Sequence, residues 1–201
     1  MNEELDKNEA AVAQLPRLAA PARLHHAAYV CQDAAETAAF YTDVLGMELC
    51  GFIIDDKIPS TGDAFPYVHL FFKMGDGSNL AFFESVGLPP PAKSSHPAYD
   101  IFNHIALNVE TRESVDAWID YLKGRNIEVI GPIDHGVIYS AYFHDPNGVR
   151  LELTATTEWT FSKEQSLHEL ELWTQAKEAS RKQGDIAPLT ELISSRRARH
   201  K

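Results

Sequence analysis

Cysteine is scarce in this chain. Its 201 residues hold two, Cys31 and Cys50, which make neither a disulfide framework nor a CxxC pair. A reducing cytoplasm is the simplest expectation. Basic charge is short as well, with 18 Lys and Arg against 29 Asp and Glu and a net charge of -11. Phosphate binding needs a basic surface, so no nucleic-acid partner is expected, and the terminal RRARHK reads as a solvated chain end. No apolar run approaches the roughly 18 residues of a membrane span. The acidic opening MNEELDKNEA lacks the apolar stretch of a secretory signal. What is present, 44% hydrophobic and 23% charged residues, suits a globular domain of ordinary size or two small modules sharing a core.

Residues 1–22 read as an extension without a motif. From residue 23 a pattern begins. LHHAAYV is a strand, and DAAETAAFYTDVLGM a helix with Asp33 and Glu36 at capping-box spacing and Gly46 as its stop. ELCGFII, YVHLFFKM and NLAFFES follow as strands, the last two divided by the turn GDGSN. DDKIPSTGDAFP reads as an insertion-like loop, and 87–101, covering most of the Pro/Ser-rich VGLPPPAKSSHPAYD, as a linker. The order then repeats: NHIALNV is a strand and TRESVDAWIDYLKG a helix. IEVIG, IYSAYFH and VRLELTA are three more strands, the last two joined by DPNG. The expected class is α+β: two tandem βαβββ modules, 23–86 and 102–156. Beyond them, 157–201 reads as a helical extension opened by a Ser162/Gln165 capping box. That extension either packs on its own domain or supplies a homodimer contact or a flap over a pocket.

Polar residues recur at related places in the two modules. His26 and His104 head the first strands; Glu84 and Glu152 interrupt the apolar last strands. A charge in such a strand is costly unless paired, hydrogen-bonded or bound to a metal. Two imidazoles and two carboxylates suit one divalent transition metal, Fe, Mn, Ni, Co or Zn. In the third strand Tyr67, His69 and Phe71 share one parity and Val68, Leu70 and Phe72 the other, so either row offers an aromatic wall.

Taken together, HAAYVCQDAAETAAFYTDVLGMEL, NHIALNV and DPNGVRLELT resemble the vicinal oxygen chelate superfamily, the glyoxalase/bleomycin resistance/dioxygenase proteins. The resemblance implies paired modules forming a curved mixed sheet, with a metal in the cup held by His26, Glu84, His104 and Glu152. His25, of opposite parity, is expected to face away. A substrate would chelate the ion through two neighbouring oxygens. IDHGVIYSAYFHDPNGVRLE is close to the extradiol ring-cleavage dioxygenase pattern, with Ala141 where a larger apolar residue is usual. That likeness would have Tyr142 hydrogen-bond a substrate oxygen and His135 orient a substrate hydroxyl. Extradiol enzymes, however, use two histidines and one carboxylate, and a histidine where Ser78 stands here. Four ligands resemble glyoxalase I and related epimerases instead, with Glu84 or Glu152 moving protons. On this count lyase or isomerase chemistry of the enolate type is preferred to extradiol cleavage. His69, Phe71 and Arg150 are the expected substrate contacts, the arginine suited to an anionic group. A metal-free binding protein of the bleomycin-resistance kind is the third reading.

Overall fold

The computed structural model describes residues 19–90 and 94–197. Most of the expected amino-terminal extension and the last four residues of the terminal tail lie outside the described residues. The element order is β1 (His26–Val30), α1 (Ala34–Ala39) running into a π-helical turn (Phe40–Val44), β2 (Glu48–Lys57), β3 (Ala64–Lys73) and β4 (Asn79–Glu84). Then come α2 (Pro97–Phe102), β5 (Ile105–Asn108), α3 (Arg112–Gly124), β6 (Ile130–Asp134), β7 (Ile138–His144) and β8 (Arg150–Thr156), with α4 (Lys163–Gln183) and α5 (Ala187–Arg197) closing the chain. Two four-stranded sheets result, ordered β1-β4-β3-β2 and β5-β8-β7-β6. The βαβββ unit is thus present twice.

Four details depart from expectation. The insertion-like loop is half strand, since β2 runs on to Lys57 and β3 begins at Ala64. The linker contains α2, capped by His96 and opened by Pro97 at its first turn. β6 lies three residues later than IEVIG and includes Pro132, which an edge strand tolerates because one side of it needs no ladder donor. Asp33 accepts the Glu36 N–H at 2.8 Å as half of the expected box, and Glu84 supplies another acceptor to the same helix terminus. Ser162 and Gln165 complete their capping box.

The contacts divide into two units. The first runs to Ile105 and takes in Phe143–Leu151. Its core is aromatic: Tyr41 stacks on Phe72 and packs against Phe82, with Leu70 and Leu80 fully enclosed. Burial, then the Asp145 carboxylate that accepts its hydroxyl proton at 3.1 Å, holds the Tyr41 phenol far above its ordinary value. Asn147, in the DPNG turn, accepts the Gln32 N–H and donates to Thr37 and Asp145, tying that turn to the start of α1. The edge strand β2 pairs with β3 in antiparallel register, which shifts between Leu49 and Gly51 and again between Asp55 and Lys57. Phe52, Ile53 and Ile54 between these shifts are exposed.

The second unit comprises Ala106–Tyr142 and the chain from Glu152 onward. Val115 and Ile119 of α3 pack on Ala141 and Ala155. A Cβ at Gly131 would meet the Ser140 carbonyl at 3.0 Å and the Ala141 Cα at 3.1 Å. That close approach, with a φ of 136°, explains why position 131 holds glycine. α4 and α5 form a helical hairpin joined across Gly184, whose φ of 67° places it in the left-handed region natural to a helix stop. No described helix is long and apolar enough to cross a membrane.

Candidate active site

Strand register decides which side chains share a face. In the first sheet β1 and β4 pair in parallel with His26 level with Asn79, Ala28 with Ala81 and Val30 with Phe83. β3 adds Phe71 beside Ala81 and His69 beside Phe83. Side chains alternate with a period of two, so His26, Ala81, Phe83, Phe71 and His69 lie on one face. The ring contacts agree: His26 lies 5.6 Å from Phe71 and 6.1 Å from His69, and His69 stacks on Phe83 at 3.6 Å. The row Tyr67, His69, Phe71 is therefore the one that keeps company with His26, while Leu70 and Phe72 enter the core.

Glu84 is on the other face. It stands five residues beyond Asn79, an odd step, and its carboxylate accepts the Ala34 N–H at 2.6 Å. A carboxylate at a helix start is stabilised by the unpaired N–H groups there. The expectation that Glu84 is a metal ligand and proton carrier is corrected. The charge in an apolar strand has a partner, and that partner is a helix terminus.

The same reasoning applied to the second sheet exposes the offset. Cys31 N–H donates to the Phe83 carbonyl, and Val109 N–H donates to the Thr154 carbonyl. Cys31 and Val109 each lie five residues past their histidine, so Phe83 corresponds to Thr154 and Ala81 to Glu152. The counterpart of Glu152 is a fully buried alanine.

Around Glu152 the sequence-predicted residues do assemble. Tyr142 donates its hydroxyl proton to Glu152 at 3.1 Å, and His135 Nε2 lies 3.0 Å from the same hydroxyl oxygen. Glu152 is 1% exposed and Tyr142 7%. Ser140 and Thr154 bond each other at 2.9 Å one step along the same face. This gives a chain, His135–Tyr142–Glu152, through which hydrogen-bond polarity can be passed along.

The histidines also carry second partners. His104 Nδ1 lies 2.9 Å from the Phe102 carbonyl. A carbonyl only accepts, so Nδ1 bears the proton and Nε2 the lone pair, as a ligating imidazole requires. His26 Nδ1 meets His25 Nδ1 at 2.8 Å. His25 does not face away as expected, because it precedes the first residue of β1 and escapes the alternation of that strand. The donor types of His26, His104 and Glu152 thus fit a divalent transition metal. Among the described residues no three His, Cys, Asp or Glu side chains gather closely enough to hold one, so the expected four-ligand cluster is not assembled.

Within the first unit a cleft of about 1090 Å³ is lined by residues that include His104, His144, Arg150, Asn103, Tyr29 and Phe102. Arg150 is therefore part of a concave surface beside His104. Ser78, where ring-cleaving relatives would carry a histidine, is buried and donates its hydroxyl proton to Asp76. Sequence reasoning missed the His25–His26 contact and the stacking of His69 on Phe83. Burial, then the neighbouring His26, lowers the His69 pKa from its ordinary value.

Comparison with known proteins accords with this architecture. The family model of the glyoxalase/bleomycin resistance protein/dioxygenase superfamily matches residues 23–153. The chain belongs to that superfamily. It is 30% identical over 128 residues to a probable lactoylglutathione lyase of Synechocystis sp. (strain ATCC 27184 / PCC 6803 / Kazusa), covering 62% of this chain and 88% of that one. It is 28% identical over 147 residues to a 2-epi-5-epi-valiolone epimerase of Actinomyces sp, covering 65% and 77%. A glyoxylase/bleomycin resistance protein/dioxygenase domain from Frankia sp. EAN1pec shares the fold with a TM-score of 0.56 at 14% identity, covering 69% of this chain and 100% of that one. A glyoxalase/dioxygenase from Nostoc punctiforme shares it with a TM-score of 0.51 at 22% identity, covering 72% and 100%.

Proposed function

We propose that this superfamily member is a divalent-metal-dependent enzyme that binds its substrate through two adjacent oxygens, with His26, His104 and Glu152 as the protein ligands. The observation that carries the reading is Ala81. With alanine in the place corresponding to Glu152, the ligand set is two histidines and one carboxylate. Such a set, brought together on one ion, would suit non-haem Fe(II) chemistry with dioxygen. This reverses the preference drawn from four ligands and favours extradiol cleavage of a catechol-like aromatic.

A divalent cation so held would polarise the two substrate oxygens and lower their proton affinity. The chain's own groups have separate tasks. Phe71 and Phe83 supply an apolar wall on the face of His26. Tyr142 and His135, already bonded to each other, orient a substrate hydroxyl and take part in moving its proton. Arg150, in the cleft beside His104, receives an anionic substituent.

The test is oxygen uptake by protein reconstituted anaerobically with Fe(II) and given simple catechols. Expected is consumption of one dioxygen per catechol, with a yellow ring-opened product. Replacing Tyr142 by Phe should lower the rate by roughly 10²- to 10⁴-fold, the usual worth of a proton-transfer group. A second reading, isomerisation through an enediolate, is favoured by the names of the two curated relatives. It predicts Ni(II)- or Co(II)-dependent exchange of a carbon-bound proton without oxygen uptake. Protein that holds less than a tenth of an equivalent of metal under either condition would overturn both.

A further inference from the structure

The turn DPNG sets an imidazole and a guanidinium opposite each other beside the cleft of the first unit. Asp145 N–H donates to the Val149 carbonyl, which places His144, the last residue of β7, level with Arg150, the first of β8. Cross-strand neighbours of this kind share a face, with Cβ atoms roughly 5 Å apart. The platform beneath them is fixed: the Asp145 carboxylate accepts the N–H groups of Asn147 and Val149, and Asn147 is tied to Thr37. Both His144 and Arg150 line the cleft of about 1090 Å³. Arg150 is half-buried, and a guanidinium stays charged at any working pH. Aromatic rings line it too. Tyr99 and Phe102 of α2 are three residues apart and so share a side of that helix. They are 54% and 75% exposed, and Tyr29 of β1 is 37% exposed. Three partly wetted rings around one concavity gain from a ligand that covers them. One acid lines the cleft as well, Asp100, whose carboxylate accepts the Ser94 hydroxyl proton at 2.6 Å.

We propose that this cleft binds a monoanionic aryl carboxylate, the carboxylate on Arg150 and His144 and the ring against Tyr29, Tyr99 and Phe102. The inference deepens the assignment of Arg150 to an anionic substituent, on which it rests, and needs neither a metal nor any residue of the second unit. A guanidinium presents two parallel N–H donors that match the two oxygens of a carboxylate, and a neutral imidazole adds one more donor. A single negative charge is what this lining favours. A dianion such as a phosphate monoester would meet Asp100 and a chain of net charge -11, and like charges repel.

The experiment is calorimetric titration of metal-free protein, held in EDTA, with 2-naphthoate, the neutral 2-naphthamide and the dianionic 2-naphthyl phosphate. Wild-type protein should bind the carboxylate at least about tenfold more tightly than the amide, the worth of a charge-assisted hydrogen bond, and more tightly than the phosphate. Arg150→Gln should bring carboxylate and amide within about twofold, and Arg150→Lys, which keeps the charge but not the fork, should retain part of the preference. Phe102→Ala, at a side chain exposed enough to spare folding, should weaken both probes about 3- to 10-fold and leave their ratio unchanged. Equal affinity for carboxylate and amide in the wild type, tighter binding of the phosphate, or an undiminished preference in Arg150→Gln would overturn the proposal. So would the absence of any naphthoate binding below about 1 mM. With no metal present, such a failure is told apart from failure of the metal-dependent reading, which oxygen uptake tests.

Discussion

Replacing Glu84 distinguishes a metal ligand from a helix-capping group, because the two roles fail in different observables. Its carboxylate accepts the Ala34 N–H at 2.6 Å from a half-buried position at the first turn of α1. Glutamine keeps an acceptor but removes the charge, so the loss is the interaction with the helix terminus, about 0.5–1 kcal/mol. Alanine also strands the Ala34 N–H, and a hydrogen bond to a charged acceptor in a partly solvated place is worth about 1.5–2.5 kcal/mol. At about 2–4 °C per kcal/mol for a chain of this size, Glu84→Gln should lower the first melting transition by about 1–4 °C. Glu84→Ala should lower it by about 3–10 °C. Both variants, followed by differential scanning calorimetry and by zinc titration, should bind metal with wild-type stoichiometry and affinity. Unchanged melting accompanied by a tenfold or greater loss of zinc affinity in Glu84→Gln would refute the register argument, and with it the three-ligand set.

Installing a carboxylate at the vacant counterpart position is the converse experiment: Ala81→Glu should tighten Ni(II) binding and suppress oxygen uptake by occupying a position that chemistry needs, while lowering the stability of the metal-free protein, as anaerobic titration and an oxygen electrode would record. Asn147→Ala removes bonds to Gln32, Thr37 and Asp145 and should cost about 2–3 kcal/mol, at roughly 1 kcal/mol each, visible as an earlier urea midpoint. Alkali should unfold the protein through Tyr41. Its folded pKa is raised by burial and Asp145, so above about pH 10 the unfolded chain releases a proton that the folded chain keeps, and stability falls by up to about 1.4 kcal/mol per pH unit. Tyr41→Phe should remove that slope in urea titrations between pH 8 and 11.

Most of the architecture was legible because a duplicated pattern is hard to mistake. The histidine-headed strands, the capped helices and the turns GDGSN and DPNG recur in one order, and the structure carries the βαβββ unit twice. The His135–Tyr142–Glu152 grouping was legible too, since Tyr142 and Glu152 occupy adjacent strands with DPNG between them. Glu84 was not. It is the sixth residue of β4, whereas Glu152 is the third of β8, and an odd offset turns a side chain to the opposite face. Composition of a strand does not reveal where its ladder begins, so two glutamates in similar surroundings looked equivalent. Helix α2 escaped notice because six residues are too few for periodicity, although Pro97 is the residue that favours a first turn. The stacking of His69 on Phe83 was illegible for a different reason: it depends on the register between two strands.

The interrupted pairing of β2 bears on what that edge offers to another chain. An outermost strand of ten residues, carrying Phe52, Ile53 and Ile54 in the open, would ordinarily be an invitation for another chain to extend the ladder. Irregularities on either side confine the evenly spaced portion to Gly51–Asp55, and Asp55, Asp56 and Lys57 follow at once. An incoming strand would meet a bend and a cluster of charge within a few residues, too short a run to nucleate stacking. Straightening those two kinks would lengthen the evenly spaced run and leave an exposed apolar edge open to strand addition.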